Sequence, residues 1–160
     1  YLSMEPPYRN ANQPFNHISE LLLLPDIDYN DYIALLPHLS VLPQGYVYIN
    51  INTASKEVLQ SLSENISDAQ IDEIVTQREK EPWKDVASFK SDPLLQGVDV
   101  DIKYLGVKSD FFEIATLITL ADRKVRLVSV IYRNYEDGVM QVLFRDQGQK
   151  YLITKDKIAL

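Results

Sequence analysis

The first 45 residues place apolar side chains at helical spacing between prolines. Pro6, Pro7 and Pro14 keep the opening stretch extended or looped. Ile18, Leu21, Leu22 and Leu24 then predict a short buried helix ended by Pro25. Asp28 or Asn30 caps a second helix, which carries Tyr32, Ile33, Leu35 and Leu36 as far as Pro37.

From Tyr46 the pattern changes. Tyr46 to Asn52 reads as a brief alternating strand. Ser55 caps a helix through Val58, Leu59 and Leu62. Ser67, with Glu or Gln near the third position, caps another that turns Ile71, Ile74 and Val75 inward and ends at Pro82. Trp83, Val86 and Phe89 are expected to fold back over this pair.

After residue 105 the period becomes two. Phe112, Ile114, Thr116, Ile118 and Leu120 share one face of a strand, opposite Glu113 and Thr119. Asp122-Arg123-Lys124 turns the chain, Val125 to Arg133 returns, Glu136-Asp137-Gly138 turns again, and Val139 to Arg145 makes a third strand. The prediction is a three-stranded antiparallel meander. Tyr151-Leu152-Ile153 adds a fourth strand or belongs to an appended or disordered end. The fold class is therefore α+β, a helical domain followed by an antiparallel sheet.

Charge separates the same three blocks. Residues 1–45 carry a net of -4, residues 46–105 a net of -5, and residues 106–160 a net of +2, for -7 over the 160 residues. So acidic a balance argues against phosphate-backbone binding, which needs a cationic face. Without cysteine there is no disulfide, thiol nucleophile or thiolate zinc site. No apolar run approaches the roughly 18 residues of a membrane span, and no signal peptide is visible. The opening at Tyr1-Leu2-Ser3 reads as that of a fragment or processed product.

Catalytic signatures are missing: no Gly-x-Ser-x-Gly elbow, Walker loop, dinucleotide glycine fingerprint or His-Glu-x-x-His. His17 and His38 each lie beside an apolar helical stretch and read as structural. A carboxylate enzyme is the third-ranked reading. Asp26-x-Asp28-x-Asn30 matches the start of an EF-hand loop, but Asp31 takes the glycine position and Pro37 falls where the bidentate glutamate belongs, so helix capping explains it better. Asp99 and Asp101, in the loop after Gly97, offer two hard oxygen ligands and are the candidate metal residues. Solvated loop carboxylates are the plainer reading.

Ile49 to Ser55, followed by Val58-Leu59, Ala69, Ile74 and Arg78, resembles a helix–hairpin–helix module of the competence-protein type. In that family a Gly-x-Gly hairpin offers backbone amides to phosphate. Ser63 to Ser67 has neither glycine and puts Glu64 where phosphate would sit. The module's fold is expected here without its nucleic-acid binding, which remains the runner-up function.

A wider resemblance rests on Pro6 to Phe15, Ile18-Ser19-Glu20-Leu21, Ile49 to Ala54, Ser109 to Phe112, and the Arg126 to Arg133 strand. Together they resemble the K-type minor pseudopilin of bacterial type II secretion, with the leader, hydrophobic helix and early helical domain absent, as in a C-terminal half. The resemblance implies a non-enzymatic, structural protein at the pseudopilus tip. It implies anchoring in the inner membrane before assembly, a periplasmic soluble domain, and a sterile-alpha-motif-like helical domain joined to a pilin-like sheet. The implied partners are the I- and J-type minor pseudopilins, which with the K-type protein start the filament that exports folded proteins. Some family members bind calcium, the one cofactor implied.

An exposed apolar sheet is typical of interaction surfaces. Ile114, Ile118, Val128 and Val130 are the expected partner-binding residues. Residues 111–132 are expected to dock the protein's own N-terminal helix, with neighbouring subunits at the margins, or to be covered by the first block.

Overall fold

A computed structural model describes residues 3, 7–9, 12–42 and 48–146. It divides the chain into two compact units, residues 1–107 and 108–160. The first two blocks of the sequence thus share one unit.

In the first block, Ile18–Leu23 forms a 3-10 helix rather than an α-helix. His17 caps it: its Nδ1 accepts from the Ser19 amide at 3.2 Å, and Glu20 Oε1 accepts from the His17 amide at 3.0 Å. Helix α1 spans Tyr29–Leu35. Asp28 Oδ1 accepts from the amides of Asn30 and Asp31 at 2.7 and 2.8 Å, and Asp31 Oδ2 accepts in return from the Asp28 amide at 3.1 Å. This reciprocal capping satisfies donors that a helix start otherwise leaves open. It accounts for the EF-hand-like spacing. His38 bridges to the second block, with Nδ1 at 3.1 Å from Ser55 Oγ and 3.7 Å from Glu57 Oε2.

The second block is closed by a parallel strand pair, β1 (Ile49–Asn50) with β2 (Leu105–Gly106). The extended stretch is shorter than expected, because Ile51 to Thr53 turn instead. Tyr46 and Val47 lie outside the described residues, as do Tyr151, Leu152 and Ile153. Between the two strands run α2 (Lys56–Gln60), α3 (Asp68–Lys80), α4 (Val86–Lys90) and two 3-10 turns, Pro93–Leu95 and Ile102–Tyr104. Ser55 and Ser67 cap α2 and α3 as predicted. Asp85 caps α4 at Ser88, a bond that holds the Asp85 carboxyl below the usual range.

Ile51, Leu59, Ile66, Ile71, Ile74, Trp83, Phe89, Leu95, Val100 and Leu105 make one buried cluster. Trp83 sits edge-on to Phe89, with ring centroids 5.0 Å apart, and both cover the helix pair as expected. Three polar devices fix this core. The Asn52 amide brackets the Trp83 backbone, accepting from its N–H at 3.0 Å and donating to its carbonyl at 2.9 Å. The indole N–H donates to Asp92 at 3.1 Å. Arg78 Nη1 donates to the carbonyls of Ile51 and Ala54 at 3.1 and 2.6 Å, so α3 grips the loop between β1 and α2. Burial pushes the Arg78 guanidinium below its ordinary pKa, and those carbonyls replace the water it has lost.

The second unit is a meander of β3 (Phe111–Leu120), β4 (Arg123–Arg133) and β5 (Met140–Asp146), with β4 in the middle. Ala121 and Asp122 make the first turn, since Leu120 pairs directly with Arg123. Ala121 adopts a φ of 51°, a left-handed conformation that twists the strands toward each other. Gly138, with φ of 70°, completes the second turn, its amide donating to the Asn134 carbonyl at 3.0 Å. The register shifts between Val130, opposite Phe144, and Ile131, opposite Val142; Leu143 is the extra residue of the bulge.

Because Trp83 fills the middle of the core, Trp83→Ala is expected to cost about 3 kcal/mol or more through the cavity it leaves. Trp83→Phe keeps much of the volume and forfeits the bond to Asp92, so it should cost about half as much or less. Urea titrations of both variants check this; unchanged unfolding of Trp83→Ala would place the ring outside the core.

Candidate functional site

Antiparallel pairing fixes which side chains share a face. Ile114 lies opposite Ser129 and Ile118 opposite Val125, whereas Val128 and Val130 lie opposite Ala115 and Glu113. The four expected partner-binding residues therefore divide between the two faces. Ile114 and Ile118 are 47% and 53% exposed, but Val128 is only 6% exposed. Residues 111–132, expected to dock a partner, thus supply two faces rather than one. Val128 and Val130 both lie on the face opposite Ile114 and Ile118, where Val128 is buried. The physical reason is the turn: a two-residue loop at Ala121-Asp122 shifts β4 by three positions relative to a three-residue turn at 122–124. Any odd shift sends every side chain of a strand to the other side.

The two faces differ in chemistry. One carries Glu113, Lys124, Arg126, Gln141 and Asp146 among apolar positions, of which Val128 is buried and Phe111, Val130 and Tyr132 are half-buried. The other carries Phe112, Ile114, Ile118, Leu120, Val125, Leu127, Ile131, Met140 and Val142. Of these, Leu127 and Ile131 are half-buried and the rest are exposed. Its charged strand residues are Arg123, Arg133 and Arg145, with no acid among them. This apolar face, with arginines at its margins, is the candidate site.

At one margin the chain gathers a cluster that the sequence pattern did not reveal. The Arg133 guanidinium lies 4.8 Å from the Phe112 ring centroid and 4.2 Å from that of Tyr135, and it donates to the Tyr135 hydroxyl. Lys108 Nζ stands 5.2 Å from the same Tyr135 ring. The one available signal was parity: Arg133 shares its face with Ile131.

Asp99 and Asp101 are both exposed, and Asp101 Oδ1 accepts from the Lys103 amide at 2.9 Å, capping the 3-10 turn at Ile102–Tyr104. Among the described residues no group of three or more His, Asp or Glu side chains is placed to hold a metal. Two carboxylates, one engaged by backbone, do not fit the six to eight oxygens calcium takes. In the hairpin between α2 and α3, the Ser67 and Gln70 amides are already taken by the Gln70 and Ser67 side chains, at 3.0 and 3.3 Å. The Asn65 amide is likewise taken by Ser63 Oγ, at 3.3 Å, so at least two amides of the hairpin are already occupied.

Two family models sharing the description "Type II secretion system (T2SS), protein K" match residues 1–44 and 49–108. The chain belongs to the type II secretion system protein K family. The protein K of Pseudomonas aeruginosa is 36% identical over 149 residues, covering 93% of this chain and 44% of that protein. That of Pectobacterium carotovorum is 29% identical over 154 residues, covering 92% of this chain and 46% of the relative. A chain in the crystal structure of the GspK-GspI-GspJ complex from enterotoxigenic Escherichia coli matches with a TM-score of 0.77 at 30% identity, over 94% of this chain and 54% of that one. The chain thus spans less than half the length of the protein K relatives. The α+β class agrees with this structural likeness. Among the described residues no helix is long and apolar enough to cross a membrane.

An uncovered apolar face binds hydrophobic dye even in a folded protein. The chain is expected to enhance anilinonaphthalene sulfonate fluorescence under native conditions. Ile118→Thr with Val125→Thr, a directly paired position on the exposed face, should remove most of that signal at a stability cost within about 0.5 kcal/mol for each surface change. Leu117→Thr on the opposite face should leave it. Equal loss from both variants would show that the faces are not distinct.

Proposed function

We propose that this chain serves as part of a structural minor pseudopilin at the tip of the type II secretion pseudopilus. There it helps initiate the filament that exports folded proteins across the outer membrane. Its soluble units face the periplasm, and the whole protein is anchored in the inner membrane before assembly. The role is mechanical rather than catalytic. The observation that carries the reading is the apolar face of the β3–β4–β5 sheet, in a chain of the protein K family. On a monomer such a face is a liability; in an assembly it is a docking surface. The protein's own hydrophobic helix covers the face along its length, and the I- and J-type minor pseudopilins engage its margins. The solved GspK-GspI-GspJ complex, whose matched chain shares 30% identity with this one, supports that choice of partners.

The chain is expected to co-elute with the soluble domains of the I- and J-type proteins in size-exclusion chromatography, as a complex of defined mass. Failure of both to bind the folded chain would overturn the reading. Duplex DNA, offered in the same buffer, should not bind, because Glu64 repels phosphate and the Asn65 and Ser67 amides of the hairpin are already taken by side chains. Salt-sensitive, low-micromolar DNA binding would instead favour a nucleic-acid module.

A further inference from the structure

Arg133 and Lys108 hold two positive charges over one phenol ring, at 4.2 and 5.2 Å from the Tyr135 centroid. Two cations on one ring repel each other, and the ring's quadrupole only partly offsets this. The usual relief is a carboxylate, yet neither residue takes part in an ion pair among the described residues; the pairs found there are His38–Glu57 and Lys56–Asp72. Arg133 Nε is in addition buried without an acceptor. A guanidinium offers five donors in a planar fork suited to a carboxylate. Here Tyr135 Oη is the acceptor recorded for its terminal nitrogens.

The cluster adjoins the candidate site. Arg133 stacks on Phe112, whose register partner Ile131 lies on the apolar face, and its own register partner is Met140 on that face. Tyr135 and Lys108 are exposed beside it. The strand residues of that face include no acid, and Asp110, opposite Arg133 just before β3, forms no ion pair with it among the described residues. A second copy of this sheet would therefore bring arginine against arginine, and like charges opposed across a contact suppress the wrong partner. The charge pattern selects an acidic one.

Resting on the proposed function, we infer that the Arg133–Lys108–Tyr135 cluster is a carboxylate clamp. It receives an acidic side chain of a neighbouring pseudopilin subunit, at the margin where apolar residues of the same subunit meet Phe112 and Met140. The incoming carboxylate pairs with the guanidinium fork, offsets one of the two positive charges beside Tyr135, and sets the angle at which the neighbour meets the sheet.

The test is binding of the I- and J-type soluble domains to the 160-residue chain across a range of salt concentration. Binding by the unaltered chain should weaken with salt. Arg133→Gln with Lys108→Gln should bind about tenfold more weakly, with a flatter salt dependence, while Arg133→Lys recovers part of the loss. Lys124→Gln, on the opposite face of the sheet, should behave as the unaltered chain does. Lys108→Gln alone changes an exposed side chain and keeps the fold, so it carries the test if the double variant unfolds. It should show a smaller loss and a reduced salt slope. Unchanged affinity and slope in a folded Arg133→Gln or Lys108→Gln variant, with binding otherwise intact, would overturn the clamp and leave the pseudopilin reading standing. No binding by the unaltered chain would overturn that reading and the clamp with it.

Discussion

The pairing of β3 with β4 is the constraint on which the sheet's chemistry depends. Arg133 N–H donates to the Asp110 carbonyl at 2.8 Å, one residue beyond the start of β3. That bond marks Asp110 opposite Arg133, and from it the pairs run in step to Leu120 opposite Arg123. Even-numbered residues of β3 then share a face with odd-numbered residues of β4. Ile114, Ile118 and Val125 fall together, and Arg123 and Arg133 flank them at the two ends of β4. Nothing in the individual propensities demands this arrangement; it follows from where the turn closes.

The helical unit is held by different means. Its helices are short, and isolated helices of such length are marginal in water. Stability comes instead from one apolar cluster and from polar groups that tie distant backbone to it. Arg78, Asn52 and the Trp83 indole each bond across a long stretch of sequence. The β1–β2 pair then fastens the two ends of the second block.

Much of this was legible in the sequence. Ser55, Ser67 and Asp28 announce helix starts, Pro82 an end, and the period-two run from Phe112 to Leu120 a strand, because each signal is local. Misread features were those set by tertiary partners. Leu105–Gly106 pairs as a strand only because Ile49–Asn50 lies beside it. The face of Val128 and Val130 is not legible, because a turn at Asp122-Arg123-Lys124 and a turn at Ala121-Asp122 look alike in composition yet differ by an odd number of residues, three, in register. The shorter turn needs a positive φ at Ala121, which alanine does not advertise. The Arg133 cluster depends on that same register and on Lys108 and Tyr135, which lie outside the strands.

The register itself can be read directly from Hα–Hα nuclear Overhauser effects, which are strong between the non-hydrogen-bonded pairs of an antiparallel ladder. With Asp110 and Arg133 a hydrogen-bonded pair, those close contacts are predicted for Glu113 with Val130, Ala115 with Val128, and Leu117 with Arg126. Contacts displaced by one residue on β4, such as Glu113 with Ile131 or Ala115 with Ser129, would place Val128 and Val130 beside Ile114 and Ile118. They would contradict the division of the sheet into an apolar, arginine-edged face and one of mixed charge that carries Val128 and Val130.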